Sequence, residues 1–291
     1  MAAQYPGTLL RRMVDARRGL LVPGAANALA ARLIEQMGFE AVYLSGAGLT
    51  NTFYGIPDLG FVHLGDLVQH TAAMRDAVAL PIIVDADTGF GNALNVRHTV
   101  RALERAGANA IQLEDQVSPK KCGHFEGKAV IPAAEAASKI KAAVDARMND
   151  DFLIIARTDA RAVEGFEAAL ERAALYAASG ADITFVEAPQ SIAELRRIPQ
   201  ALPGTPQIVN IVIGGKTPAL PAAEFAAMGF AVVLYANAAL QGALRGMTNA
   251  LRTLRQQGEL AEDETLVATF AERQALVQKP LFDELDARYV G

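Results

Sequence analysis

The chain has 291 residues, 52% hydrophobic and 20% charged, with Gly 24 and Pro 13. That is too apolar for a disordered chain and too evenly mixed for a collagen or low-complexity sequence, so it folds around a sizeable core. Lys and Arg number 27 against 32 Asp and Glu, a formal charge of -5 without a basic stripe, which excludes nucleic acid as the expected partner.

A single cysteine, Cys122, excludes an internal disulfide framework and fits a reducing compartment. Asp, Glu, Arg or Gly interrupts every apolar run before the ~18 residues needed to cross a bilayer. The N-terminus MAAQYPGTLLRRMVDARRG mixes charged with apolar residues and does not read as a secretion signal. Cytoplasm is the expected location, with no membrane partner.

In chain order, short β-rich apolar runs recur: LLVPG from Leu20, AVYLSG from Ala41, PIIVDAD from Pro81, AIQLED from Ala110, FLIIARTD from Phe152, ITFVEAP from Ile183, PQIVNIV from Pro206 and AVVLYAN from Ala231. Between them lie segments with helical spacing, such as ANALAARLIEQMGF and ALNVRHTVRALERAGA. Near-continuously apolar strands alternating with helices indicate a parallel sheet covered by helices. An open doubly wound sheet satisfies that alternation too, but eight strands completed by about residue 240 match an α/β chain of the (β/α)8 TIM-barrel class. The expected organisation is a catalytic barrel over residues 1–245 and a C-terminal helical extension over 246–291, with Pro280 breaking its last helix. That extension is either a local cap or an arm exchanged with another subunit.

Nearly every apolar run ends on its C-terminal side in a polar residue: Tyr43 and Ser45, Asp85 and Asp87, Glu114 and Asp115, Arg157 and Asp159, Glu187, Asn210, and Tyr235 with Asn237. In a barrel these ends converge on one mouth, where active sites are built. Asp85 and Asp87 stand two apart, on the same side of a strand, so both reach one ion. Carboxylates without a Cys or His cluster suit a hard cation such as Mg²⁺. The bland reading of the pair is a turn into Gly89. Glu114 is the next ligand, and Asp115, on the opposite side of its strand, is equally well structural.

Ser45, Gly46, Ala47 and Gly48 form a small-residue turn whose backbone can approach an anion. No Walker A loop and no GxGxxG is present. NTFYGIPDLGF is a candidate substrate loop, and Asp58 is the acid it would deliver. Cys122 lies in SPKKCGHFEGK beside Lys120, Lys121 and His124, surroundings that lower a thiol's pKa. It is either a buried inert thiol or a chemical one. With one Cys and four His (His63, His70, His98, His124) structural zinc is not expected, and a papain-like Cys–His nucleophile stays open.

The segments LSGAG, GIPDLGF, VDADTGFGN, EDQ followed by PKKCGH, IIARTDA and VEAP, in this order, resemble the isocitrate lyase/phosphoenolpyruvate mutase superfamily. The KKCGH loop resembles its short-chain carbon–carbon lyase branch, which includes 2-methylisocitrate lyases and 2,3-dimethylmalate lyases. The resemblance implies a Mg²⁺ site, with Mn²⁺ as substitute, at Asp85 and Asp87 assisted by Glu114. It implies that Ser45, Gly46 and Ala47 hold an α-keto acid carboxylate opposite Arg157, and that Glu187 and Asn210 contact substrate. Cys122 is then the general acid, Lys121, Gly123 and His124 form its loop, and Tyr43 lies near the reacting hydroxyl.

The implied reaction is retro-Claisen cleavage of a 2-hydroxy di- or tricarboxylate to pyruvate or glyoxylate and a carboxylate. A phosphoenolpyruvate-type mutase resembling carboxyphosphoenolpyruvate mutase, and an oxaloacetate hydrolase, are the alternatives. Val212 and Ile213 stand where the methylisocitrate lyases carry polar residues, which favours a smaller or more apolar dicarboxylate; Ala236 after Tyr235 counts against hydrolysis. Members of the family are usually homotetramers that exchange C-terminal helices, which would account for the surplus tail.

Overall fold

The eight apolar runs close on themselves. In the computed structural model, which describes residues 5–123 and 125–290, they form strands β1 (Leu20–Ala25), β2 (Val42–Leu44), β3 (Ile82–Asp85), β4 (Ala110–Glu114), β5 (Leu153–Thr158), β6 (Ile183–Val186), β7 (Gln207–Asn210) and β8 (Val232–Tyr235). All neighbours are parallel and in chain order, and β8 returns to β1 through the register Leu20↔Val232 to Pro23↔Tyr235. A helix follows each strand, from Ala28–Gln36 after β1 to Ala238–Gln257 after β8. This is the expected (β/α)8 barrel; an open doubly wound sheet would leave two unpaired edges.

Side-chain parity sorts the core. Inward residues Val22, Tyr43, Ile83, Ala110, Ile155, Phe185, Ile208 and Leu234 pack as one cluster inside the barrel. Their alternates, Val42, Leu44, Val84, Ile111, Leu113 and Ile154, pack outward against the helices, as do Val186, Val209 and Val233. Both faces are buried, which is why the strands read as continuous apolar runs. The inside cluster also takes Leu10 and Val14 from the helix Pro6–Asp15. That helix is anchored by Arg11 to Asp151 at 3.2 Å and to Asp182 at 3.0 Å, and it packs among strand-start residues Leu20, Ala41 and Ala231. It therefore plugs the end of the barrel opposite the polar strand ends. At the β1–β8 seam a Cβ on Gly24 would lie 1.9 Å from the Ala236 carbonyl oxygen, so closure there needs a glycine.

The C-terminal extension is helical, over Ala238–Gln257, Phe270–Leu276 and Lys279–Val290. The division expected at residue 245 falls inside the first of these, so the barrel's eighth helix and the start of the extension are one continuous element. Pro280 sits in the first turn of Lys279–Val290, where its missing N–H costs nothing; it starts that helix, and the chain breaks just before it, at Gln278 with φ 59°. Helix Ala238–Gln257 buries none of its side chains and exposes Leu244, Met247, Leu251 and Leu254 at helical spacing. No helix among the described residues is long and apolar enough to cross a membrane.

If the plug helix completes the barrel core, Leu10→Ala should lower the free energy of unfolding in a urea titration by about 2–5 kcal/mol. Ligand binding at the opposite mouth should be left unchanged.

Candidate active site

The inward parity of each strand runs on into the loop that follows it, and this brings the polar strand ends together. Tyr43, Asp85, Glu114, Arg157, Glu187 and Asn210 are all buried there, at no more than 8% exposure, and all but Glu114 line one cavity with Cys122. The first link among them is one that the sequence reading did not single out. Gln112, on β4 two residues before Glu114, is fully buried. It accepts the Tyr43 hydroxyl proton at Oε1 (2.8 Å) and donates through Nε2 to Asp85 Oδ1 (3.2 Å). A buried amide aligned with the acids on its own strand was the available signal.

Asp85 Oδ1 also accepts from the Asp87 backbone N–H at 3.2 Å. Its other oxygen, Oδ2, and Asp87 Oδ1 lie 3.2 and 3.3 Å from where a Cβ on Gly46 would be, so the two carboxylates face the same small gap. Asp87 reaches it from the left-handed region, with φ 48°, a strain that clusters at functional sites. Ser45 caps the short helix Gly46–Leu49, accepting from the Gly48 N–H at 3.0 Å and donating to Asn237 Oδ1 at 3.2 Å.

The Lys120 ammonium, in the same cavity lining as Cys122, pairs with Asp58 Oδ2 at 2.7 Å and Asp87 Oδ1 at 2.9 Å. Asp58 is thus buried at the site, and its carbonyl accepts the Cys122 N–H at 3.3 Å, joining the two loops. Lys121 turns back on its own loop: Nζ donates to the Gly127 carbonyl (3.0 Å), while the Gln116 amide holds the Lys121 N–H (3.0 Å) and carbonyl (2.8 Å). Gly123 lies against the Arg157–Glu187 pair; a Cβ on it would be 2.3 Å from Arg157 Nη2 and 2.6 Å from Glu187 Oε1. His124 lies outside the described residues.

Arg157 is the cationic centre. It makes two parallel bonds to Asp159 (3.0 and 3.1 Å) and ion pairs with Glu114 at 3.4 Å and Glu187 at 3.8 Å, above the Phe185 ring. Burial disfavours its charge, but Asp159, Glu187 and Glu114 outweigh that and hold it well above the usual arginine range. Burial likewise opposes the Lys120 charge and is outweighed by Asp87, Glu114, Asp85 and Asp58. Among the acids, burial pushes Asp87 up to about 7, with Lys120 pulling against it and Asp85 and Asp58 adding to it. Burial raises Glu114 well above the carboxylate range against the pull of Arg157. Burial, then Asp85, raises Tyr43 well above its ordinary value, so the phenol keeps its proton. Asn210 donates to Glu187 Oε1 at 3.5 Å, and its own Oδ1 accepts no hydrogen bond among the described residues.

Asp115, outward by parity, is structural: it accepts from Thr158 Oγ1 (2.7 Å), the Asp159 N–H (2.9 Å) and the Tyr176 hydroxyl (2.8 Å) and pairs with Arg172 (3.3 Å).

Among the described residues, no group of three or more His, Cys, Asp and Glu side chains is gathered closely enough to hold a metal ion by itself. A Mg²⁺ ion needs less than that, one or two carboxylates with waters and substrate oxygens supplying the rest. Asp85 and Asp87 present two oxygens to one gap, and the buried Oε1 of Glu114 has no hydrogen-bond partner among the described residues. This all-oxygen set fits a hard divalent cation. A methyl group in the gap should interfere, so Gly46→Ala should weaken Mg²⁺ binding in calorimetry by about 10–100-fold with little change in thermal stability; unchanged affinity would remove Gly46 from the site.

The family model for phosphoenolpyruvate phosphomutase matches residues 10–255. The 2,3-dimethylmalate lyase of Eubacterium barkeri is 41% identical over 280 residues, covering 96% of each chain. The 2-methylisocitrate lyase of Aeropyrum pernix is 47% identical over 255 residues, covering 88% of this chain and 82% of that protein. Among solved structures, a 2,3-dimethylmalate lyase described as a PEP mutase/isocitrate lyase superfamily member superposes with a TM-score of 0.93 at 32% identity, over 99% of this chain and 97% of the other. A phosphonopyruvate hydrolase in complex with oxalate and Mg²⁺ superposes with a TM-score of 0.89 at 30% identity, over 99% and 100%.

Proposed function

The chain belongs to the phosphoenolpyruvate mutase/isocitrate lyase superfamily and is a carbon–carbon lyase, and from that premise we propose that it cleaves a 2-hydroxy dicarboxylate of the 2,3-dimethylmalate type to pyruvate and a second carboxylate. The observation that carries this reading is the meeting of Cys122 with Arg157 and Asp85 around one cavity, with Gly123 docked on the Arg157–Glu187 pair.

Asp85 and Asp87, with Glu114, are the residues that would hold Mg²⁺ or, in its place, Mn²⁺. When bound, the ion supplies Lewis acidity that lowers the cost of deprotonating a coordinated hydroxyl. Arg157 holds a substrate carboxylate on the edge not taken by Asp159, and Ser45, Gly46 and Ala47 shape the facing wall. In the reaction the hydroxyl proton passes to water, from which the Cys122 thiolate left at the end regains a proton; the hydroxyl oxygen becomes the keto oxygen of the first product, and the bond to the neighbouring carbon breaks. That bond's electron pair stays on the departing carbon, α to a carboxylate, and Cys122 Sγ delivers the proton that quenches it. Tyr43, whose proton is held toward Gln112, orients the hydroxyl end of the substrate and does not act as the base. Glu187 and Asn210 close the substrate wall.

Substrate size follows from the apolar part of the lining. Phe185, Val212, Leu234 and Ala236 also line the cavity and offer nothing that would pair with a third carboxylate, so methyl groups fit beside them and a tricarboxylate such as 2-methylisocitrate fits less well. A coupled assay for pyruvate or glyoxylate with Mg²⁺ should therefore give the highest kcat/KM on 2,3-dimethylmalate among dimethylmalate, methylisocitrate, isocitrate and oxaloacetate. Cys122→Ser should lose about 100-fold or more in turnover while retaining Mg²⁺ binding. Near-normal turnover in that variant would sink the general-acid assignment.

A second part of the proposal concerns assembly. The exposed stripe Leu244, Met247, Leu251 and Leu254 on the eighth helix needs an apolar cover, and an arm exchanged between subunits of a homotetramer supplies one. Light scattering should give four times the mass of one chain, and a monomer would end the exchanged-arm reading. The cytoplasm, where a lone cysteine remains reduced, is the proposed location.

A further inference from the structure

Lys128 ends the loop that carries Cys122. Its side chain is 2% exposed, and its ammonium is inserted into the barrel mouth, pairing with Asp159 Oδ1 at 2.7 Å; the Asp159 side chain is itself fully buried. The same ammonium donates to the carbonyl oxygen of Gly123, the residue after Cys122. Asp159 in turn makes the two parallel bonds to Arg157. One buried cation thus ties the backbone beside the thiol to the acid that aligns the substrate-binding arginine.

We propose that Lys128 is a positioning residue that seats the Cys122 loop on the Arg157–Asp159 pair, setting the thiol over the cavity. The proposal rests on the reading of Cys122 as the proton donor. Three features point to seating as its function. The Gly123 carbonyl would otherwise face a buried acid without a donor between them, and the ammonium separates two oxygens that repel each other. Gly123 has no Cβ and so approaches Arg157 and Glu187 as closely as backbone can, a fit that a displaced loop loses. On its other side the loop is tied by a Cys122 N–H bond to the Asp58 carbonyl at 3.3 Å and by Lys120 to Asp58 and Asp87. These hold it to the β2 and β3 side of the mouth, and Lys128 holds it to the β5 side.

The chain has one cysteine, so thiol alkylation reports on this loop alone. Lys128→Met should be alkylated by iodoacetamide about 10–100-fold faster than wild type, the factor expected for losing a charge-assisted bond. With dimethylmalate and Mg²⁺ its kcat should fall by a similar factor while KM moves only a few-fold, because Asp159 still aligns Arg157. Lys128→Arg, which keeps the charge and reaches both oxygens, should restore most of the protection and of kcat. Should Lys128→Met not accumulate as folded protein, Lys128→Gln carries the same comparison with less empty volume. Wild-type alkylation and kcat in the neutral variant would overturn the proposal, as would an Arg variant impaired as severely as the Met variant. If the wild-type enzyme releases no keto acid from any of the four substrates, the lyase reading fails, yet the alkylation comparison still decides whether Lys128 seats the loop.

Discussion

The constraint on which the mouth of this barrel depends is charge compensation in a place with little water. Among the described residues, Asp58, Asp85, Asp87, Glu114, Asp159 and Glu187 are all buried there, against the buried cations of Lys120, Lys128 and Arg157. Each cation bridges at least two oxygens on different elements: Lys120 spans the β2 and β3 loops, Lys128 the β4 loop and the end of β5, and Arg157 spans β4, β5 and the end of β6. The loops are therefore joined less by apolar contact than by the need to keep carboxylates apart from one another. Burial raises Asp87 and Glu114 against the pull of Lys120 and Arg157, and the neighbouring acids add to it. A divalent cation is the species that such a site attracts.

Local backbone geometry serves the same end. Asp87 and Ala188 adopt φ of 48° and 54°, a conformation that L residues other than Asn and Asp rarely take. The first turns a carboxylate back toward the gap beside Gly46, and the second follows directly on Glu187. Asp tolerates this conformation, and the strain at Ala188 is sustained because the strands below are buried on both faces and cannot shift to relieve it.

The fold was legible in the sequence because a parallel barrel imposes two signals at once, continuous apolar runs and a polar residue at each C-terminal end. The period of two separated Glu114 from Asp115, whereas Asp87, beyond the end of β3, shares the gap with Asp85 through a left-handed turn. What the sequence did not show depended on long side chains crossing between loops. Lys120 adjoins Cys122 in the chain, yet its four-carbon stem carries the charge to Asp58 and Asp87. Lys128, six positions beyond the cysteine, reaches back to the backbone beside it. Gln112 was obscured by its apolar neighbours, although its parity matches that of Glu114. The division expected at residue 245 has no counterpart in the backbone, because helix Ala238–Gln257 runs through it without a break.

The adjacent acids Glu114 and Asp115 show how the wall of the barrel and its mouth are coupled. Glu114 faces inward and pairs with Arg157. Asp115 faces outward and receives bonds from Thr158, from the Asp159 N–H and from Tyr176, beside Arg172. The outward network thus fixes the backbone of Asp159, the residue whose own side chain holds Arg157 and Lys128. A buried acid with so many donors is costly to disturb, and that rigidity passes through one residue from the helix layer to the arginine and the cysteine loop. The chemistry at the mouth is held from behind the strands, by side chains that never face the cavity.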